Sequence, residues 1–307
     1  MTLLFGNYRH SARIPAIRCW RLLVVGFLVL GSITNPLAYA RDPLAQEESR
    51  PQELEPDSNP DRNAVLQMFL KEAQKYELTL LGTRPIRLDL VQQPVMHWNG
   101  SAFIWVNNGH PEAIGTFWTG RDSRTGKSRW QHAFHSLSEY SIAANFDGQL
   151  IWNPRTNGLQ FRAVDGAEVP ADKPWQRLAQ MRALARQFSV TGIYPRYESS
   201  RRTLRLLPQP IFRYESRSDS PQDGAVFVYS ADVVATDPDA LLVLEARQVD
   251  GRLRWEYAFA RFHYIELTGY HGDQEVWKVE NTSELSRQHR FGRDPDRDSI
   301  YYSVAAP

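Results

Sequence analysis

Beyond residue 19 the sequence contains no cysteine: the single one in 307 residues, Cys19, lies in the N-terminal segment. Without later thiols there is no disulfide, no cysteine nucleophile and no thiolate metal site. An excess of one charge is missing too. With 36 Lys+Arg against 35 Asp+Glu, the balance implies neither a nucleic-acid partner nor an anionic membrane surface. Long hydrophobic runs are scarce, and the one at 22–33, LLVVGFLVLGSI, has twelve residues where a membrane span needs roughly 20. Motifs for nucleophilic catalysis are also absent, with no G-x-S-x-G elbow and no patterned Ser with His and acid partners. A triad assembled from distant residues needs no such pattern.

The flanks of the apolar run give it a meaning. Arg9, Arg13, Arg18 and Arg21 precede it, no acid occurs among residues 1–40, and Ala38-Tyr39-Ala40 closes the segment. A basic start, a short apolar centre and an A-x-A end predict a secretory signal peptide over 1–40, with Arg41 as the first mature residue. An uncleaved anchor is the alternative. Cys19 precedes the run, so it does not occupy the place of a lipidated cysteine. Cleavage leaves 267 residues with 32 Lys+Arg against 35 Asp+Glu, a formal −3. The predicted address is exported, periplasmic or extracellular, with no transmembrane span after cleavage and no nucleic acid as partner. Residues 41–62 hold seven acids and four prolines, the composition of a disordered acidic linker. Residues 281–307 read as a polar C-terminal tail in which only SIYYSV has the apolar content to pack back.

Between these ends the chain repeats itself. LDLVQQPVMHW (88–98), GSAFIWV (100–106) and GKSRWQHAF (126–134) are followed in the same order by LRLLPQPIFRY (204–214), GAVFVYS (224–230) and GRLRWEYAF (251–259). Phe103 to Trp130 is 27 residues and Phe227 to Trp255 is 28, so the spacing holds to within one. A helix is expected before each copy, at 64–79 and 177–191, where apolar residues fall near a 3.6-residue period. The expectation is an α+β fold of two tandem duplicated units, 63–165 and 171–280, each a helix packed on an antiparallel β-meander.

Thr125-Gly126-Lys127-Ser128 mimics the end of a phosphate-binding loop, but Gly120 is one residue too far upstream and position 121 is Arg. Its counterpart in the second copy is Val249-Asp250-Gly251-Arg252, and Asp-Gly between strand-like runs marks a hairpin turn, so Lys127 reads as a turn residue. His132 and His135 form H-x-x-H, yet on a strand an odd offset sends them to opposite faces, so no metal pair is expected. His110-Pro111-Glu112 resembles the H-x-E of zinc deaminases but lacks the downstream cysteines and reads as a loop. Glu112, Asp122, Glu139, Glu256 and Glu275 are scattered singly and name no carboxylate pair. No motif implies a cofactor or a metal. Trp130 and His132 share a strand face with Phe134, as Trp255 and Tyr257 do with Phe259. Those rings are either core or an aromatic binding platform for sugar or peptide.

LRLLPQP, DGAVFVY, LLVLEAR, RWEYAFAR, QMRALARQF and HAFHSLS resemble a family of exported planctomycete-type bacterial proteins with no assigned function, over most of residues 61–280. The resemblance implies export and a repeated build, and carries over no activity, cofactor or site. The expected function is an exported non-enzymatic binding or scaffold module of the cell envelope, its partner an envelope protein or glycan. The alternative is an envelope hydrolase with a site between the two units.

Overall fold

Pro174 fixes a backbone angle suited to a first helical turn, and a helix begins there. In the computed structural model the described residues are 60–78, 83–88, 100–121, 128–154, 158–194, 201–215, 223–231, 238–282 and 299–305. All lie in one compact unit, Glu55–Pro307. Helix α1 (Pro60–Gln74) is followed by β1 (Tyr76–Leu78), β2 (Arg84–Leu88), β3 (Gly100–Asn107), β4 (His110–Arg121), β5 (Ser128–Ser136), β6 (Ala144–Phe146), β7 (Gln149–Trp152) and β8 (Arg162–Ala163). Helix α2 (Pro174–Ala185) is followed by β9 (Phe188–Ile193), β10 (Arg201–Thr203), β11 (Arg205–Leu206), β12 (Phe212–Tyr214), β13 (Asp223–Ser230), β14 (Pro238–Val249), β15 (Arg252–Arg261), β16 (Glu266–His271), β17 (Gln274–Val279) and β18 (Ser299–Ala305).

Both helices end earlier than the sequence pattern predicts. Tyr76-Glu77-Leu78 alternates buried and exposed, and Phe188 to Ile193 alternates buried and half-buried, so these stretches follow the two-residue period of a strand. The strands form two large antiparallel sheets, β18-β5-β4-β3-β2 and β11-β13-β14-β15-β8 with β12 also on β13, and two small ones, β1-β6-β7 and β10-β9-β16-β17. No helix among the described residues is long and apolar enough to cross a membrane.

The α+β expectation of two tandem units, each a helix packed on a meander, is overturned. The fold is mostly β, with eighteen strands and two helices among the described residues. The physical reason is that the meander strands are apolar on both faces. Every residue of β13 is buried: Ala225, Phe227 and Tyr229 enter one core, Val226 and Val228 another. The second of these cores joins the two large sheets face to face, through Ala102 and Ile104 of β3, Ile114 of β4, Leu241 and Val243 of β14, and Ala258 and Ala260 of β15. The outer face of each large sheet is covered by a small sheet as well as a helix. Phe69 of α1 joins Tyr76, Phe146 and Trp152 over Phe103 and Trp105, while Met181 of α2 joins Phe188 and Leu267 over Phe227 and Trp255.

The Asp250-Gly251 turn has φ of 52° and 76° and joins β14 to β15 with Val249 opposite Arg252. Positive φ at both central residues is the turn that matches strand twist. β4 and β5 pair as far as Arg121 opposite Ser128, and the intervening 122–127, with most of the TGKS stretch, lie outside the described residues. Within the expected polar tail, β18 runs antiparallel along β5 from Ser299 opposite His135 to Ala305 opposite Arg129.

Candidate functional site

A second such turn, Asn108-Gly109 with φ of 49° and 88°, presents His110 as the first residue of β4. Glu112 lies two residues on, at an irregularity in the pairing where Val106 faces Pro111 and Trp105 faces Ala113. His110 Nδ1 donates to Glu112 Oε1 at 3.3 Å, and Nε2 donates to Glu245 Oε1 of β14 at 3.0 Å, so one ring links the two large sheets. Burial works against protonation of His110, but the two carboxylates outweigh it and push the pKa up to about 9. At neutral pH the ring is a cation donating from both nitrogens.

Glu245 is the hub, wholly buried and accepting from His110, from the Tyr214 hydroxyl at 2.5 Å and from Arg247 Nη1 at 3.3 Å. Tyr214 reaches it because residue 224 is Gly: a Cβ there would sit 2.3 Å from the ring. Burial, then the charge of Glu245, raises the Tyr214 pKa well above its ordinary value, so it stays a donor. Arg247 also meets Glu139 at 2.7 Å and Glu256 at 3.1 Å, and its guanidinium lies 4.4 Å from the centre of the Phe161 ring. Arg254 completes the chain on Glu256. Three of the carboxylates that look scattered in sequence, Glu112, Glu139 and Glu256, thus meet in one network. Glu275 stands apart on β17, and Asp122 lies outside the described residues. Sequence reading missed Glu245, Tyr214 and Arg247. The available signal was a carboxylate inside the apolar run LLVLEAR, since a charge there needs partners.

The H-x-x-H histidines part as the strand period requires. His132 enters the outer core, where its Nδ1 accepts from the Tyr76 hydroxyl at 2.5 Å and its Nε2 lies 3.7 Å from Glu72. His135 faces the other way, with its ring 5.0 Å from that of Phe262. Burial pushes both down to about 3, helped by Lys75 at His132 and by Arg261 and His263 at His135, so both are neutral. Of the aromatic platform residues, His132, Trp255 and Tyr257 are 1%, 2% and 5% exposed, so their ring faces belong to the core. The side chain of Trp130 lies outside what is described; its backbone pairs with Thr119 and Val304. Among the described residues no group of three or more His, Cys, Asp or Glu is placed to hold a metal.

A cleft of about 490 Å³ opens where β15 runs past β8. Tyr257, Phe259 and Ala260 of β15 line one side and Glu275 to Val279 of β17 the other, with His135 and Gly158 between. The Phe259 ring stacks on Trp277 at 5.3 Å and 17°. Arg162, Arg261, Lys278 and Glu275 are among its lining residues; Arg162 donates to the Val276 carbonyl, Arg261 to the carbonyls of Ile265 and Glu280, and Lys278 Nζ lies 3.8 Å from Glu266. Compared with protein families, with curated proteins and with solved structures, the chain matches none.

Proposed function

We propose that the chain is an exported, non-enzymatic binding or scaffold module of the cell envelope, cleaved after Ala40 and akin to the exported planctomycete-type proteins it resembles in sequence. The repeated blocks and the like succession of helix, small sheet and large sheet in both halves support an internal duplication of the sequence. The observation that carries the binding reading is the cleft beside β15, whose walls mix backbone with polar and charged side chains and whose size falls within that of ligand sites.

The second reading, an envelope hydrolase, draws on the meeting of His110 with Glu112 and Glu245. Its chemistry favours a clamp. A general base needs a free lone pair, whereas both His110 nitrogens donate to carboxylates and Glu245 is fully buried under three donors.

Export is tested by the intact mass of protein recovered from the host envelope. A chain beginning at Arg41 is expected, and retention of residues 1–40 contradicts cleavage. Binding is tested by presenting the immobilised protein with separated peptide and glycan fractions of that envelope. Retention of one fraction, lost in Arg162→Glu, supports the module; turnover of the retained material supports the hydrolase.

A further inference from the structure

We infer that β18 is an exchangeable arm and that the outer edge of β5 is its docking site, open to the β18 of a second copy of this chain as well as to its own. Two copies that trade arms close into a symmetric dimer.

The two large sheets match strand for strand, as β18-β5-β4-β3-β2 and β8-β15-β14-β13-β11. In each, the outermost strand comes from the other half of the chain. β8 follows β6 and β7 of the first half yet pairs with β15 of the second, and β18 follows β16 and β17 of the second half yet pairs with β5 of the first. Two chains that swap an identical element make this crossing between them. Here one chain makes it twice with itself.

The two crossings are held differently. β8 is reached from β7 across residues 153–161, and that connection is fastened on its way. Gly158 and Leu159 donate their N–H groups to the Ser138 carbonyl at 2.9 and 3.1 Å, and Leu159 is buried in the core between the sheets. β8 itself pairs only with Glu256 and Tyr257, and Val164 N–H donates to the Trp255 carbonyl beside them. On the β14 side Phe262 N–H donates to Asp239, so alternation turns the N–H and carbonyl of Phe259 to the cleft beyond β8. β18 reverses both features. It pairs along all of Ser299–Ala305, and β5 is the one strand it pairs with among the described residues. Before it, Thr282 N–H donates to the Tyr264 carbonyl at 2.8 Å, and sixteen residues, 283–298, separate Thr282 from Ser299. A stretch of that length spans up to about 55 Å when extended, against roughly 30 Å for the diameter of a small domain. It holds eight charged residues, with Leu285 and Phe291 as its only large apolar ones, a composition that asks for no burial.

Arm and edge also need each other. SIYYSVA carries Ile300, Tyr301, Tyr302 and Val304, residue types that favour a strand. Without β18, the β5 edge presents unpaired backbone groups over Arg129–His135. An arm that leaves its own β5 finds the same edge on another copy. The tether sets the balance, so own-chain docking prevails in dilute solution and exchange grows toward the millimolar range of tethered partners.

The test traps the arm where it docks. Gln131 and Ser303 face each other across the pairing, at a separation a disulfide spans. In the full chain with Cys19→Ser, the double variant Gln131→Cys/Ser303→Cys should close within one chain in dilute solution. Chains carrying Gln131→Cys alone and Ser303→Cys alone, one of them tagged, are then mixed in equal amounts and oxidised. A covalent dimer joining the two variants is expected, rising with protein concentration and exceeding by roughly tenfold or more the dimers each variant forms with itself, because docking sets the two sulfurs side by side. Mixed dimer no more abundant than the self-coupled ones would keep each arm on its own chain and overturn the inference. A double variant that is folded by its thermal midpoint but does not close would take β18 off β5 and overturn it as well. Arg129→Cys with Ala305→Cys, opposite at the far end of the pairing, decides the matter if the first pair impairs folding.

Discussion

β5 and β15 each end a three-stranded meander and each bury aromatic side chains on one face, yet their outer edges have different fates. β5 carries a seven-residue partner, β18, whereas β15 carries two residues of β8 and then a cleft. Their inner positions diverge as well. Where β5 buries His132 against Tyr76, β15 buries Tyr257 beside Phe188 and Phe259. Strand alternation sets which face is core, so both strands fold alike. What pairs with the edge is set elsewhere in the chain, and there the two sheets are free to differ.

The largest effect is expected where the two strands agree. Trp255→Ala should cost about 3–5 kcal/mol in chemical denaturation, since it removes a large buried ring and the site can refill only in part. A midpoint near wild type would return Trp255 to the exposed-platform reading.

Next comes the network joining the sheets. Glu245→Gln keeps the shape but sets an amide against His110 and Arg247, and should cost about 1–3 kcal/mol. In the same variant the His110 titration, followed by NMR, should fall from about 9 toward 6.5. An unmoved His110 would mean that Glu112 alone holds its proton.

The histidines give the stability curve two limbs of opposite sign. His110 has a raised folded pKa, so its contribution is full below 6.5 and is lost as pH rises through about 9. His132 and His135 have lowered ones, so theirs is full above 6.5 and is lost as pH falls toward about 3. The alkaline limb should amount to about 3 kcal/mol and be flattened in His110→Asn. The acid limb should be flattened in His132→Phe. Thermal midpoints across pH check both, and an alkaline limb that survives His110→Asn would assign it to another group.

The smallest effect is expected at Lys127, between the ends of β4 and β5. Lys127→Ala should change stability by no more than about 0.5 kcal/mol, and ATP with Mg²⁺ should show no saturable binding to either form. Micromolar nucleotide binding lost in the variant would restore the phosphate-loop reading.

Local structure was readable where one residue pair decides it. Asp250-Gly251 announced its hairpin, and the odd offset of His132 and His135 announced opposite faces. The sheet-on-sheet core was not readable, because Val226 and Val228 look no different in sequence from Phe227 and Tyr229, which face the other way. An all-apolar strand says that both faces are covered without saying by what. The network around Glu245 was hidden for another reason. His110 and Glu245 are 135 residues apart, and only the facing of the two sheets brings them together. A carboxylate within LLVLEAR was the trace they left.

Hydrogen exchange along β15 in the ligand-free protein tests the open edge most directly. Alternation is expected, with the Phe259 amide exchanging rapidly while Ala258 and Ala260, bonded toward β14, stay protected. Along β5, where β18 covers the edge over Arg129–His135, no such alternation should appear. A Phe259 amide as slow as its two neighbours would mean that the edge already has a partner and is not open.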